Sequence, residues 1–400
     1  MKLITLLGTG KYEETVYRWA EREKSTRFIQ EALVEWLQPK TTCVLLTQGA
    51  RNKNWGACRP LLEGKTNIQE VDIPDGKSEQ ELRQIFSAID RVVEEGDTLA
   101  FDITHSFRSL PMITLLVIAY LKQVKSVQIA HLLYGAFEAK NEKGQTPVFE
   151  LTPFVELLDW LTAAKMFIAT GDSRELAGLL EKEQNTAWRL QQPNAPRRLK
   201  SLANALKKVS SNLLLSRVPL LAESVKSLRP AIEDAQAEIG EHATPLIPLL
   251  KQIEQAYRPF EHDDLQTQLE LIGWYLERGH VVQAMTLARE WLISYQVQLD
   301  GQDANNLDRR EDAARTLNEA HHNRADDLLT KVWGRVIELR NDIAHCGFGR
   351  AEGQVLKAED IIEQAREVYG QLRDIWEKRA LNVGARRRHA PTETGTGDRR

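Results

Sequence analysis

Six consecutive residues near the C-terminal end of the chain hold a guanidinium, an amide and an imidazole: Arg340, Asn341 and His345, in the run ELRNDIAHCG from Glu338 to Gly347. Asn341 and His345 are spaced i, i+4, so a helix puts them on one face. Arg340 lies about 100° round from Asn341, but its long side chain can swing to the same edge. Gly347 is expected to cap the helix, which sets His345 in its last turn. There the helix dipole favours the protonated imidazole. A readily protonated His beside an Arg suits cleavage of a phosphodiester. One group handles the proton of an attacking 2′-hydroxyl or a leaving 5′-oxygen, and the other stabilises charge on the phosphate. No metal is required when the 2′-hydroxyl is the nucleophile. The same residues also admit a purely structural role, with Arg340 paired to Asp342 or Glu338 and His345 capping the helix.

A second group of residues lies near the start of the chain, at the ends of apolar runs. Gly8, Thr9 and Gly10 follow the first run, Thr47, Gln48 and Gly49 follow the second, and the stretch DITHSFRSLP, Asp102 to Pro111, ends a later one and opens a helix. Backbone N–H groups at such turns, with a helix N-terminus behind them, form a place for phosphates. Thr104, His105, Ser106, Phe107 and Arg108 are the candidate contacts, and Arg108, one turn into the helix, is placed to meet an anion. Three nucleotide and hydrolase motifs fail: Gly10-Lys11 is followed by Tyr12 rather than Ser or Thr, position 13 is Glu where a dinucleotide fingerprint needs Gly, and no GxSxG is present. Gly8 and Gly10 can equally serve only to shape a tight turn.

The elements that must carry these residues differ between the two halves. Short apolar runs at Leu3–Leu7, Thr42–Leu46, Ile68–Ile73, Thr98–Ile103, Val127–Leu133 and Val148–Leu151 alternate with helical patterns at Thr26–Leu37, Glu79–Val93 and Leu110–Lys122. Nearly continuous apolar strands between helices predict a parallel sheet covered on both faces, an α/β Rossmann-like domain. Beyond about Pro153 the strand signal ends. Leu202, Leu206, Val209 and Leu213, then Leu265, Leu269, Ile272 and Leu276, have helical spacing, and an all-α domain of roughly seven to nine helices is expected. The expected division is 1–155, 156–382 and an irregular basic tail at 383–400.

Composition narrows the function classes. With 400 residues, 42% apolar, 28% charged and a net charge of −4, the chain can bury two cores and is not globally basic, so nucleic acid must meet a local patch. Cys43, Cys58 and Cys346 are odd in number and far apart, against a disulfide framework and in keeping with a reducing cytoplasm. The start, MKLITLLGTG, reads as a strand rather than a signal peptide, and no apolar run approaches a membrane span. No Asp, Glu, His and Cys cluster at ligand spacing lies beside Arg340. HHNRADD, His321 to Asp327, is the nearest rival, and it reads as a loop or helix start.

The stretch RNDIAH, Arg340 to His345, resembles the RxxxxH motif of HEPN ribonucleases, and Asn341 directly after the Arg is typical of them. RGHVVQAMTLAREWLI, Arg278 to Ile293, is similar to the earlier helix that packs against the motif helix. GTGKY at Gly8 to Tyr12, STRF at Ser25 to Phe28, TQGA at Thr47 to Ala50 and DITHSFRSLP resemble a CARF domain. Together they resemble the CARF–HEPN ribonucleases of type III CRISPR systems. RxxxxH alone is a weak pattern, whereas the combination is specific. The resemblance implies a homodimer, with higher association open. It implies a CARF site, Tyr12 included, that binds a cyclic oligoadenylate as an allosteric activator, with cyclic tetra-adenylate the first expectation and hexa-adenylate the second. It further implies a HEPN site that cleaves single-stranded RNA without a metal or other cofactor. Two alternatives remain open: a ring nuclease using Thr9, Thr104, Ser106 and Arg108, and a non-catalytic sensor.

Overall fold

The computed structural model describes residues 1–105, 110–238, 246–348 and 355–388. Two compact units emerge, Met1–Leu161 and Thr162–Arg400, with the division falling inside the helix Thr152–Thr170 rather than at its start.

The first unit is built on one sheet of eight strands: β1 (Lys2–Leu7), β2 (Thr15–Trp19), β3 (Arg22–Thr26), β4 (Thr41–Leu46), β5 (Asn67–Asp72), β6 (Thr98–Asp102), β7 (Gln128–Gly135) and β8 (Gln145–Glu150), in the order β3-β2-β8-β7-β6-β1-β4-β5. The strands β5, β4, β1, β6 and β7 are mutually parallel, β8 runs antiparallel to β7, and the β2–β3 hairpin extends the far edge. Their apolar runs are continuous because both faces are covered. Ile4, Leu6, Leu45 and Phe101 pack with Ile85, Ile89, Val117 and Leu121 of helices Glu79–Val92 and Leu110–Val124. Leu3, Leu7, Val44 and Leu46 pack on the opposite face with Leu33 and Leu62 of helices Ile29–Leu37 and Gly56–Leu62. Truncating one such Leu to Ala costs about 2–5 kcal/mol.

The order β5-β4-β1-β6-β7 reverses direction between β1 and β6, and this switch point is where a sheet of this kind opens a crevice. The hairpin sharpens the effect. To reach β2, the chain leaving β1 must cross the carboxyl ends of β6 and β7. This crossing carries residues 8–14 over the strand ends.

The second unit is helical, as expected, with ten α-helices among the described residues once Thr152–Thr170 is included, against the seven to nine expected. Val281–Leu299 packs against Leu265–Glu277 and against Leu328–Ala344, which carries Arg340. Two fully buried indoles anchor this packing: Trp291 donates to the Leu265 carbonyl at 2.8 Å, and Trp333 to Asn318 Oδ1 at 3.0 Å. The last helix, Ala358–Arg388, extends into the segment expected to be irregular, and residues 389–400 lie outside the described residues. Among the described residues no helix is long and apolar enough to cross a membrane.

Candidate functional site

The motif helix is fixed at both ends by its own sequence. Asp327 caps its start: one carboxylate oxygen accepts the Thr330 N–H at 2.9 Å and the other the Thr330 hydroxyl at 2.6 Å. The HHNRADD run therefore splits, with His321 and His322 closing the preceding helix and Asp327 opening this one. At the C-terminal end the expected cap is corrected. His345 is itself the cap residue, and the left-handed position after it belongs to Cys346, at φ 54°, followed by Gly347 at φ 73°. Gly347 N–H donates to the Asp342 carbonyl at 3.1 Å and Cys346 N–H to Ile343 at 3.1 Å, a Schellman closure. The His345 side chain is exposed at the carbonyl end of the helix.

Arg340, Asn341 and His345 are all exposed, while Leu339 just before them and Asp342 between them are buried. The Arg340 guanidinium donates to Asn341 Oδ1 at 3.3 Å. The helix thus brings a cation, an amide and an imidazole to one solvent-facing edge.

In the first unit, a cavity of about 270 Å³ opens over the ends of β6 and β7, lined by Lys11, Tyr12, Glu13, Tyr17, Arg27, Thr104, His105, Tyr134, Gly135, Phe137 and Glu138. Of the residues expected from sequence, Tyr12, Thr104 and His105 line it. Gly8 lies beneath it: its N–H donates to the Tyr12 hydroxyl at 2.7 Å, and a Cβ there would stand 2.8 Å from that oxygen and 3.1 Å from the His105 carbonyl oxygen. Asn54 ties the turn down, donating to the carbonyls of Gly8 at 2.8 Å and Gly10 at 3.0 Å. Thr9 presses its methyl group on Gly49, leaving no room for a side chain there. Gln48 donates to Asn52 at 3.0 Å and, like Gly49, does not line the cavity. Ser106, Phe107 and Arg108 lie outside the described residues.

Thr104 has its hydroxyl committed. It donates to Asp102 Oδ1 at 2.6 Å and accepts the Gly135 N–H at 2.8 Å, so it positions the loop. The second Asp102 oxygen accepts from Thr5 at 2.6 Å, and Gln30 donates to Thr5 at 3.0 Å. Burial raises the Asp102 carboxyl above the usual carboxylate range, against the hydrogen bonds from Thr104 and Thr5. His105 stacks obliquely on Tyr12, with ring centroids 4.2 Å apart, and burial pushes its pKa down to about 4. Its buried Nε2 has no hydrogen-bond partner among the described residues. Sequence reasoning from strand ends overlooked Lys11 and Arg27, the cations that line this cavity among the described residues. The signal for Arg27 was present in the STRF stretch.

The family model for CRISPR-associated protein MJ1674, second domain, matches residues 156–261. In a direct comparison, 190 residues are 27% identical to the CRISPR-associated protein MJ1674 of Methanocaldococcus jannaschii, which is 48% of this chain and 27% of that protein. The likeness is to a CRISPR-associated protein. The matched stretch spans about a quarter of that relative's length. The family-model match begins in the helix that leaves the sheet and ends before Arg340.

Proposed function

We propose that this chain is a cyclic oligoadenylate-activated, metal-independent endoribonuclease of type III CRISPR defence, working in the cytoplasm as a homodimer on single-stranded RNA. The observation that carries the proposal is the exposed edge formed by Arg340, Asn341 and His345 in a chain similar to a CRISPR-associated protein. The cavity beside Tyr12, His105 and Arg27 is the proposed activator site.

The chemistry follows from the groups present. The 2′-hydroxyl of RNA attacks the adjacent phosphorus, the P–O5′ bond breaks, and a 2′,3′-cyclic phosphate and a 5′-hydroxyl result. His345 transfers the proton that the leaving 5′-oxygen must gain or that the 2′-oxygen must lose. Arg340 stabilises the charge that builds on the non-bridging oxygens. Asn341 holds Arg340 and the phosphate in register. One chain offers one such set, and two-fold symmetry would set two around one scissile bond.

The test is to incubate the protein with labelled single-stranded RNA, with and without cyclic tetra- or hexa-adenylate. Cleavage that depends on the cyclic molecule supports the proposal. Degradation of the cyclic molecule with intact RNA would make the protein a ring nuclease, and neither reaction would make it a sensor.

A further inference from the structure

Gly334 lies on the motif helix seven residues before Asn341 and eleven before His345. At about 100° per residue these three positions fall within about 20–40° of one another around the axis, on one face. Asn341 and His345 are exposed, but Gly334 is buried. What covers it is the imidazole of His321, from the end of helix Leu307–His322: a Cβ at Gly334 would stand 2.2 Å from His321 Cε1 and 2.5 Å from Nδ1. His321 is nevertheless exposed as a residue, and its ring nitrogens have no hydrogen-bond partner among the described residues. An aromatic ring is thus seated by its edge on a bare glycine, about 10 Å along the helix from Asn341.

We propose that His321 is a stacking platform for an RNA base next to the scissile bond, and so a substrate-positioning residue. This rests on the ribonuclease reading above. Single-stranded RNA is held by stacking of splayed bases on aromatic rings, His included. Glu338 is exposed on the face between His321 and Asn341. Its carboxylate repels phosphate, which sends the RNA backbone toward Arg340 and leaves the face between to bases. The glycine at position 334 has its reason here: any larger residue would lift the ring off the helix and away from the line of Asn341 and His345. No charge on His321 is required, so an apolar aromatic should replace it.

The test compares parent, His321→Ala and His321→Phe at saturating cyclic tetra-adenylate, reading KM and kcat on a short labelled single-stranded RNA. Equilibrium binding of the same RNA is measured in the cleavage-deficient His345→Ala background. The expected result is a KM and a dissociation constant about five- to tenfold higher in His321→Ala, kcat within about twofold of the parent, and both losses restored by His321→Phe. Unchanged KM in His321→Ala overturns the inference, as does a kcat loss at constant KM or a failure of Phe to restore binding. A parent chain that neither binds nor cleaves RNA overturns the ribonuclease reading itself, and this inference with it. Melting temperatures of the variants separate misfolding from lost contact.

Discussion

The Arg340 guanidinium donates to the Asn341 amide oxygen at 3.3 Å although the two residues leave the helix about 100° apart. In the proposed site this amide would hold the cation toward the edge that ends in His345, so Asn341 would act on Arg340 rather than on a proton. Replacing His345 by Ala should reduce activated RNA cleavage by about 10²–10⁴-fold, with activator binding intact. Arg340→Ala should behave likewise, whereas Asn341→Ala should cost less. Cleavage rates at saturating activator check this order, and a parental rate in His345→Ala would remove the assignment.

Proton transfer and charge stabilisation both come from side chains in this proposal. Cleavage should therefore persist in excess EDTA and leave a 2′,3′-cyclic phosphate on the upstream fragment. Product analysis by mass spectrometry reads the terminus. Activity lost in chelator and restored by a divalent ion would require a different mechanism.

Helix Leu110–Val124 presents an uncharged stripe to solvent: Met112 is 73% exposed, Leu116 65% and Tyr120 38%. Exposed apolar side chains spaced four residues apart along one helix face are the candidate interface of the proposed dimer. The stripe is symmetric about Leu116, since Met112 and Tyr120 lie four residues to either side. An antiparallel second copy would set Met112 of one chain against Tyr120 of the other. The same helix follows the loop of the proposed activator site, so the two-fold partner would meet it there. Leu116→Asp should shift the protein from dimer toward monomer in sedimentation and abolish activated cleavage. An unaltered dimer would place the interface elsewhere.

Much of this was legible in the sequence, and the gaps have physical causes. The five parallel strands were readable because burial on both faces makes apolar runs such as Thr42–Leu46. The β2–β3 hairpin was not: Arg22–Thr26 reads REKST, an edge strand whose side chains carry no core signal, and the pattern of Thr26–Leu37 predicts a helix where the structure begins one only at Ile29. Residues 48–62 form helical turns interrupted by a π-helical segment at Arg51–Trp55, with Pro60 inside the last of them, a pattern without clean periodicity. The hairpin matters most, because only its position shows that Lys11 and Tyr12 cross the ends of β6 and β7. At the motif, the residue types were plain, but Cys346 rather than Gly347 takes the first left-handed position. A glycine rule could not foresee a cysteine there.

His105 offers a pH test. Burial holds its pKa near about 4, below the unfolded value of about 6.5. Between these values the unfolded chain binds more protons, so the contribution to stability is complete above about pH 6.5 and is lost as pH falls toward about 4. His105→Phe keeps a ring against Tyr12 but removes the titration. The drop in Tm between about pH 7 and about pH 5 should be smaller in the variant than in the parent. Equal drops would mean that His105 is not buried neutral.

The two proposed sites belong to different units, so activation as proposed would be a free-energy difference between two states of the proposed dimer. The activator must bind the active state more tightly, and about 1.4 kcal/mol of preference shifts the balance tenfold. Among the described residues lining the cavity, Lys11 and Arg27 are the cations and Glu13 and Glu138 the carboxylates. An anionic ligand has to find the cations, and Arg27, with its guanidinium 5.7 Å from the Phe28 ring centroid, presents a planar fork for a phosphate. Arg27→Ala removes one charge-assisted hydrogen bond, a loss of about 1.5–3 kcal/mol. The activator concentration for half-maximal cleavage should rise at least about tenfold, while the rate at saturating activator approaches that of the parent because Arg340 and His345 are untouched. Cleavage measured against cyclic tetra-adenylate concentration reads both quantities. Superimposable curves would show that this cavity does not hold the activator's phosphates. A lower plateau at saturation would show that Arg27 acts on the active state itself rather than on ligand affinity.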